Sequence, residues 1–285
     1  MILVLVLGFF LTLTYYVTDT LQSINSVREI YEKVYLKEKH YIILDSLIPK
    51  VTSLLRREDK SYDALTDTWA KPYIFETHLG TVSVEIVDED RFLNPNYITK
   101  IRGLQEVFEK LFRFLEVDLE LLNRILVWTG QEQGFIDLEF PLKRKPMDSL
   151  NEIELFWDKK EDLYGKEKDS EKKPGLFELL TVFSDGKVNI NTAPVYVIFS
   201  LDKDIDWDLA KRIADYRKNK PFRSIRDLLL VRGITLDITY RLESKVKVRS
   251  RFFRVRMSIK TDKAETTLSF IYDRDRDKIL YKELE

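Results

Sequence analysis

Only two imidazoles, His40 and His78, are available for acid–base or metal chemistry, and the chain has no cysteine. Thiolate zinc sites, cysteine nucleophiles and disulfides are therefore excluded. His40 falls in a helical run and His78 in a turn, so each is read as structural or solvated. Carboxylates offer more. Asp88-Glu89-Asp90 lies at the exit of a strand, Asp202, Asp204, Asp206 and Asp208 alternate through one segment, and Asp273, Asp275 and Asp277 alternate with Arg274 and Arg276. Spaced carboxylates are calcium chemistry, but a calcium loop of the helix-loop-helix kind needs Gly at position six and Glu at position twelve. Counted from Asp202 those positions hold Trp207 and Ile213; counted from Asp273 they hold Lys278 and Leu284. The interleaved arginines of the last group point to surface ion pairs. The scattered glycines form no phosphate-cradling loop, and no serine sits in a G-x-S-x-G elbow. The chain is read as non-enzymatic, without a catalytic residue, metal site or cofactor.

The sharpest local pattern is VNINTAPVYVIFSLDKDIDWDLAKRIADYRKNKPFRSIRDLLLVRGI, residues 188–234. In outline it resembles the helix-hairpin-helix unit of bacterial competence DNA receptors, through Ala210, Ile213, Tyr216, Arg217, Pro221, Phe222, Leu229, Val231, Gly233 and Ile234. Such units hold phosphate on the backbone N–H groups of glycine hairpins. Here Asp202-Lys203-Asp204-Ile205 stands where the first glycine hairpin belongs, and carboxylates repel phosphate. The expectation is a helical packing unit with the framework kept and the phosphate site lost, so nucleic acid is disfavoured as a partner.

The elements that carry these residues follow from hydrophobic period. Met1 to Thr18 holds no ionisable side chain. As a helix it spans about 27 Å, just short of a bilayer core. Leu3, Leu5, Leu7, Phe9, Phe10, Leu11 and Leu13 are its anchor. A cleaved secretory signal is the competing reading; it lacks a basic leading region and a small-x-small cleavage site. Val27, Ile30, Val34, Tyr41, Leu44 and Ile48 continue at helical spacing, opposite a charged face. One helix is expected, half in lipid and half packed on a soluble domain, with a coiled-coil partner as the other use of the stripe. Tyr73 to Asp88 alternates around a His78-Leu79-Gly80 turn, a hairpin signal. Leu104 to Trp128 is helical in period. Asp137 to Lys173 reads as a charged, partly disordered loop. Helical pattern returns from Pro194 to Gly233, and the tail alternates as antiparallel strands with one wet face.

The expected fold is α+β: a pilin-like long N-terminal helix packed on an antiparallel sheet, with a large inserted α-helical domain of SAM-like or helix-hairpin-helix type. The boundaries are 1–22 for the transmembrane part and 23–70 for its amphipathic continuation and linker. Residues 71–96 form the first strands and 97–240 the inserted domain, in halves 97–150 and 174–240 joined by the charged loop. Residues 241–285 form the last strands. With 47 basic and 48 acidic residues, the net charge of −1 gives no global attraction to nucleic acid or anionic lipid.

Taken in order, these features resemble the protein K family of type II secretion. The strand exit carries Gly80, Val82, Val84, Ile86, Asp88, Glu89, Arg91, Asn94 and Asn96, with one extra residue before Asn94. A V-N-x-N-T-A-P signature follows as Val188, Asn189, Asn191, Thr192, Ala193 and Pro194, and Asp67-x-Trp69 lies upstream. The resemblance implies a structural minor pseudopilin that joins minor pseudopilins I and J at the initiating tip of the pseudopilus. It also implies contact with the inner-membrane platform, a single pass through the bacterial inner membrane and a globular part in the periplasm. A competence-type DNA receptor and a type IV pilus minor pilin remain alternatives. An acid-free anchor suits a tip subunit, because no acid precedes Asp19. Two departures stand. No basic leader precedes the apolar run, and cutting at Gly8-Phe9 would leave only Phe9 to Thr18, so the natural start is expected upstream. The acidic stretch that accompanies calcium in the family reads Val127-Trp128-Thr129-Gly130-Gln131-Glu132, so calcium is implied by resemblance alone, with no ligands assigned.

Overall fold

A computed structural model describes residues 1–57, 61–168, 171–262 and 264–285. In chain order the elements are α1 (Ile2–Arg57), β1 (Tyr73–Thr77), β2 (Gly80–Asp88), α2 (Leu104–Leu115), α3 (Leu119–Trp128), α4 (Lys160–Tyr164), β3 (Lys166–Lys168), β4 (Glu171–Lys173), β5 (Val188–Asn189), α5 (Val195–Ser200), α6 (Trp207–Asn219), α7 (Leu236–Leu242), β6 (Val246–Lys247), β7 (Phe252–Lys260), β8 (Glu265–Asp273) and β9 (Lys278–Leu284). Five strands form an antiparallel sheet in the order β1-β2-β7-β8-β9. Because β2 and β7 are sheet neighbours, everything between them is an insertion, and it carries α2 to α7.

Alternation fixes the sheet's faces. Phe253, Val255, Met257 and Ile259 of β7 are buried, while Arg254 and Arg256 between them are exposed. Their register places Val255 opposite Ile86 and Phe270, and Met257 opposite Val84 and Leu268. Cross-strand pairs on one face then share a core with Leu44, Val51 and Leu55 of α1 and with Trp69. Trp69 meets Phe253 edge-on at 5.2 Å between ring centroids. Gly80 closes the β1–β2 hairpin with φ +145°, and a Cβ there would collide with the Lys260 carbonyl oxygen.

The inserted region has a separate core. Leu104, Val107, Phe108, Leu111, Phe112 and Leu115 recur at three- and four-residue steps, which turns one face of α2 into α3, α5 and α6. Asp118 caps α3, Asp206 caps α6 and Thr235 caps α7, each accepting from a backbone N–H in the first turn. The β5–β6 pair is parallel, Val188 opposite Val246, and ties together the two ends of the helical segment.

One expectation changes. The excursion from Asp137 to Lys173 is not a loose loop where it is described. Met147, Ile153, Phe156, Trp157 and Leu163 from this stretch are buried in the helical core. Ser149 and Glu152 form a capping box over the 3-10 helix Leu150–Leu155, and Trp157 donates to Asp162 at 3.1 Å. Their spacing is irregular, so no period announces them. Within the same expectation, residues 169 and 170 lie outside the described residues. Helix α1 continues past Pro49 to Arg57. Proline removes one backbone donor, but Val51 and Leu55 bury themselves on the sheet just beyond it.

Candidate functional site at the junction of sheet and helical region

The end of β2 delivers three consecutive acids into the seam between the two cores, and all three are buried. Asp88 accepts from Thr192 Oγ1 at 2.6 Å, from Asn189 Nδ2 at 3.2 Å, from the Asp90 N–H at 2.9 Å and from the Ser250 hydroxyl. Asp90 accepts from the Arg251 N–H at 2.6 Å and pairs with Lys247 at 2.8 Å. Glu89 accepts from the Thr181 hydroxyl and pairs with Arg254 at 2.7 Å. Asp63 completes the seam: it pairs with Arg274 at 2.6 Å and accepts from the Ser250 N–H at 2.7 Å.

The asparagines work as backbone staples. Asn96 exchanges both amide bonds with Met147, at 2.7 and 3.0 Å, and Asn191 does the same with Phe222, at 2.8 and 2.9 Å. Asn94 donates to the Ser184 carbonyl at 2.9 Å and accepts from the Asn96 N–H. Asn189 reaches the Asp63 carbonyl and Ser250 as well as Asp88. Arg217 donates to the carbonyls of Ile190 and Ala193, which fixes the turn before Pro194 and α5. Of the signature residues, Asp88 from the first segment and Asn189 and Thr192 from the second are bonded to one another, whereas Asn94, Asn96 and Asn191 each hold a different stretch of backbone and Gly80 lies at the far end of β2. The junction residues that sequence reasoning missed are Asp63, Lys247, Ser250 and Arg274.

Burial is the main force on the acids. It holds the Asp88 and Glu89 carboxyls above the ordinary carboxylate range, against the hydroxyl bonds and Arg254, and pushes Asp90 up to about 7 against the pull of Lys247. Lys247 is lowered by burial but raised further by Asp90 and Asp185, and the net direction is up. Burial brings Arg217 down to about 10, with the charge of Arg91 adding to it. These groups are turned toward one another and toward backbone. The arrangement is a buried clasp that joins two cores, not a set of groups presented to a substrate.

The hairpin of the helix-hairpin-helix segment is equally inward-looking. Asp202 forms a two-bond pair with Arg241, both at 2.7 Å, and Arg241 reaches Asp204 at 2.6 Å. The N–H groups of Asp204 and Ile205 bond back to Asp202. Lys110 of α2 places its ammonium on the carbonyls of Phe199, Asp202 and Ile205, at 2.8, 2.7 and 2.7 Å, and Lys245 places its own on Leu201 at 2.6 Å. Two backbone donors of this hairpin, those of Asp204 and Ile205, are thus engaged within it. In the last acidic group Asp275 pairs with Arg249 and Asp277 with Arg56 at the surface, as expected, but Asp273 is buried against Arg251, and the interleaved Arg274 turns inward to Asp63. In the stretch 127–132, Gln131 bonds to Pro95, Thr99 and Thr129. Among the described residues no group of three or more acids and histidines is arranged to hold a metal ion.

Helix α1 is divided. Leu3, Leu5, Leu7, Phe9, Phe10, Leu11 and Leu13 are exposed, in a helix whose best 18-residue window has mean hydropathy 1.8 and no buried share. By length and composition that helix can cross a membrane. The hydroxyls of Thr12, Thr14, Thr18 and Thr20 bond to carbonyls of their own helix, so none needs water. The stripe splits in two. Tyr41, Leu44 and Ile48 meet the sheet core, whereas Val27, Ile30 and Val34 stay 67, 63 and 62% exposed. The packed face instead runs through His40, Leu44, Val51 and Leu55. His40 Nδ1 lies 2.9 Å from Thr266 Oγ1, and burial lowers its pKa. His78 sits in the β1–β2 turn.

A family model described as the helix-hairpin-helix motif matches residues 184–247. Comparison with curated proteins finds no match. Among solved structures, the chain resembles one from the crystal structure of the GspK-GspI-GspJ complex of the enterotoxigenic Escherichia coli Type 2 Secretion System. The identity is 14%, the match covers 90% of this chain and 99% of that one, and the TM-score is 0.67. The fold expected from the sequence is therefore the fold found: a long N-terminal helix on an antiparallel sheet, with an inserted helical region that contains the helix-hairpin-helix motif.

Proposed function

We propose that this chain is a structural minor pseudopilin of a type II secretion system, one that joins two further minor pseudopilins, of the I and J kinds, in the complex that starts and tips the pseudopilus. It is anchored by a single pass of α1 in the inner membrane, with the sheet and the helical region in the periplasm. The observation that carries this reading is the division of α1. Its last part, from His40 to Leu55, packs on the sheet, and the part before it, apolar through Thr18 and then striped by Val27, Ile30 and Val34, is left uncovered by this chain. A rod of that length fixed rigidly to a folded head is suited to bundling with other helices, and its first part suits lipid. The match to a chain of a complex named for three such components supports the same reading. The inward-turned junction and the engaged hairpin fit a structural part better than an enzyme or a DNA receptor.

The test is co-purification. The full chain, in detergent, is expressed with the I-type and J-type minor pseudopilins of the same source. A stoichiometric ternary complex is the expected result; recovery of this chain alone argues against the reading. A gel-shift series on the same preparation tests the DNA receptor. Retention of DNA at low salt that fades as salt rises would favour that alternative.

A further inference from the structure

One signature residue takes no part in the clasp. Arg91 has no hydrogen bond or ion pair among the described residues, and its Nε is buried without a partner. The acids nearest in sequence are already engaged. Both oxygens of Asp88 accept from neighbours, and those of Glu89 meet Thr181 and Arg254. The Arg91 guanidinium lies 5.4 Å from the centre of the Phe92 ring. It lines a shallow crevice of about 390 Å³ whose other walls include Phe92, Pro174, Leu179, Pro194 and Tyr196. Glu178 is on the rim, turned back to the Gly175 N–H of its own turn. The crevice thus sets a guanidinium that feels the charges of Asp88 and Glu89 but makes no hydrogen bond against walls that, apart from Glu178, are apolar.

We propose that this crevice is a receptor for a carboxylate of a partner protein, carried next to an apolar side chain. A guanidinium presents a planar fork that matches a carboxylate with two parallel bonds. The acids behind it and Glu178 beside it make a second negative charge on the guest costly, which favours a monoanion over a phosphate dianion. Proline, leucine and aromatic walls supply the apolar contact, and the volume suits one or two residues of a chain, near the lower end of small-ligand sites. Arg91 is fixed where β2 leaves the sheet, so an occupied crevice lies at the clasp between sheet and helical region. This site does not depend on the proposed function, because its test uses small probes and no pseudopilin.

The experiment is calorimetric titration of the full chain in detergent with N-acetylphenylalanine, with its amide, with an acetyl-Glu-Leu amide and with inorganic phosphate. The first and third probes separate a chain-terminal from a side-chain carboxylate. Binding by at least one of them, with a dissociation constant on the order of 1 mM, is expected from one ion pair and one apolar contact. The N-acetylphenylalanine amide and phosphate should bind at least about tenfold more weakly. Arg91→Gln should lose about tenfold or more in affinity for the carboxylate probe, and Arg91→Lys less, since it keeps the charge but not the fork. Circular dichroism establishes that each variant is folded. The acid-against-amide comparison needs no variant at all. Equal binding of acid and amide, no binding of either carboxylate, phosphate binding as tightly as a carboxylate, or unchanged affinity in Arg91→Gln overturns the proposal.

Discussion

Asp88 is the residue on which most of the junction converges, and its removal exposes the logic of a buried acceptor. Asp88→Ala leaves the Thr192 and Ser250 hydroxyls and the Asn189 amide without their shared oxygen. Orphaning buried donors in such a network costs about 3–5 kcal/mol. Asp88→Asn, which keeps one acceptor oxygen, should cost about half as much, and thermal unfolding of the full chain in detergent measures both. Asp90 gives a pH signature. Its folded pKa of about 7 lies above the ordinary 3.8, so the folded state holds the extra proton between those values. Stability contributed by this group is present at low pH and is lost as pH rises through about 4 to 7. The stability difference between the native chain and Asp90→Asn should therefore fall across that window, by at most about 1.4 kcal/mol per pH unit, and level off above it. A difference that rises with pH contradicts the assignment. Asp88, Asn189, Asn191 and Thr192 were legible in the sequence because their types and spacing form a signature. Asp63 and Ser250 were not, because a lone loop residue has no period, and nothing in one sequence pairs positions nearly two hundred residues apart.

Elements divide the same way between what periodicity reveals and what packing decides. The β-strands around Val82 to Ile86 and Phe253 to Ile259 could be read directly, since one wet face enforces strict alternation. The helical stripe could be read only as apolar, not as packed: Val27, Ile30 and Val34 share a spacing with Leu44, but only Leu44 finds a partner within the chain. That difference makes a prediction. Val27→Asp, Ile30→Asp and Val34→Asp together should change the unfolding midpoint little, since exposed positions carry small effects, yet should prevent capture of the I-type and J-type partners. Leu55→Ala, at a fully buried site on the same helix, should cost about 2–5 kcal/mol. In the helical region, Lys110→Met removes an ammonium from three carbonyls at the end of α5. With charged hydrogen bonds worth about 1.5–3 kcal/mol each and partial solvent access to replace them, a net loss of about 2–3 kcal/mol is expected in urea denaturation. Nothing in the sequence singles out Lys110, because a lysine that caps another helix looks like any solvated one.

At the scale of the molecule, the two hydrophobic cores are separate clusters: one holds the sheet with α1, the other the inserted helices. What joins them is largely polar. The chain leaves the sheet at Asp88 and returns at Ser250 to Phe252, and these two crossings are bonded to each other through Asp88–Ser250, Asp90–Arg251 and Asp90–Phe252. Asp63, in the connection after α1, adds a second tie: its carboxylate accepts from the Ser250 N–H and pairs with Arg274 after β8, and its carbonyl accepts from Asn189. Each core has its own contiguous cluster of buried apolar side chains, and the clasp is expected to make their unfolding one event. A helical region that swung freely would have no defined orientation to the sheet and α1, so a fixed orientation is what the buried acids contribute despite their desolvation cost. The prediction concerns cooperativity more than total stability. The full chain in detergent should unfold in one calorimetric transition. Asp88→Ala, Asp90→Ala and Asp63→Ala together remove the carboxylates of both ties without touching either apolar core, and should split the heat capacity trace into two transitions, with the sheet core and the helical core melting separately. Tryptophan fluorescence can assign them, because Trp69 lies in the sheet core and Trp128 and Trp157 lie in the helical one. A single transition that merely shifts to lower temperature would mean that apolar contact across the seam, and not the clasp, couples the halves.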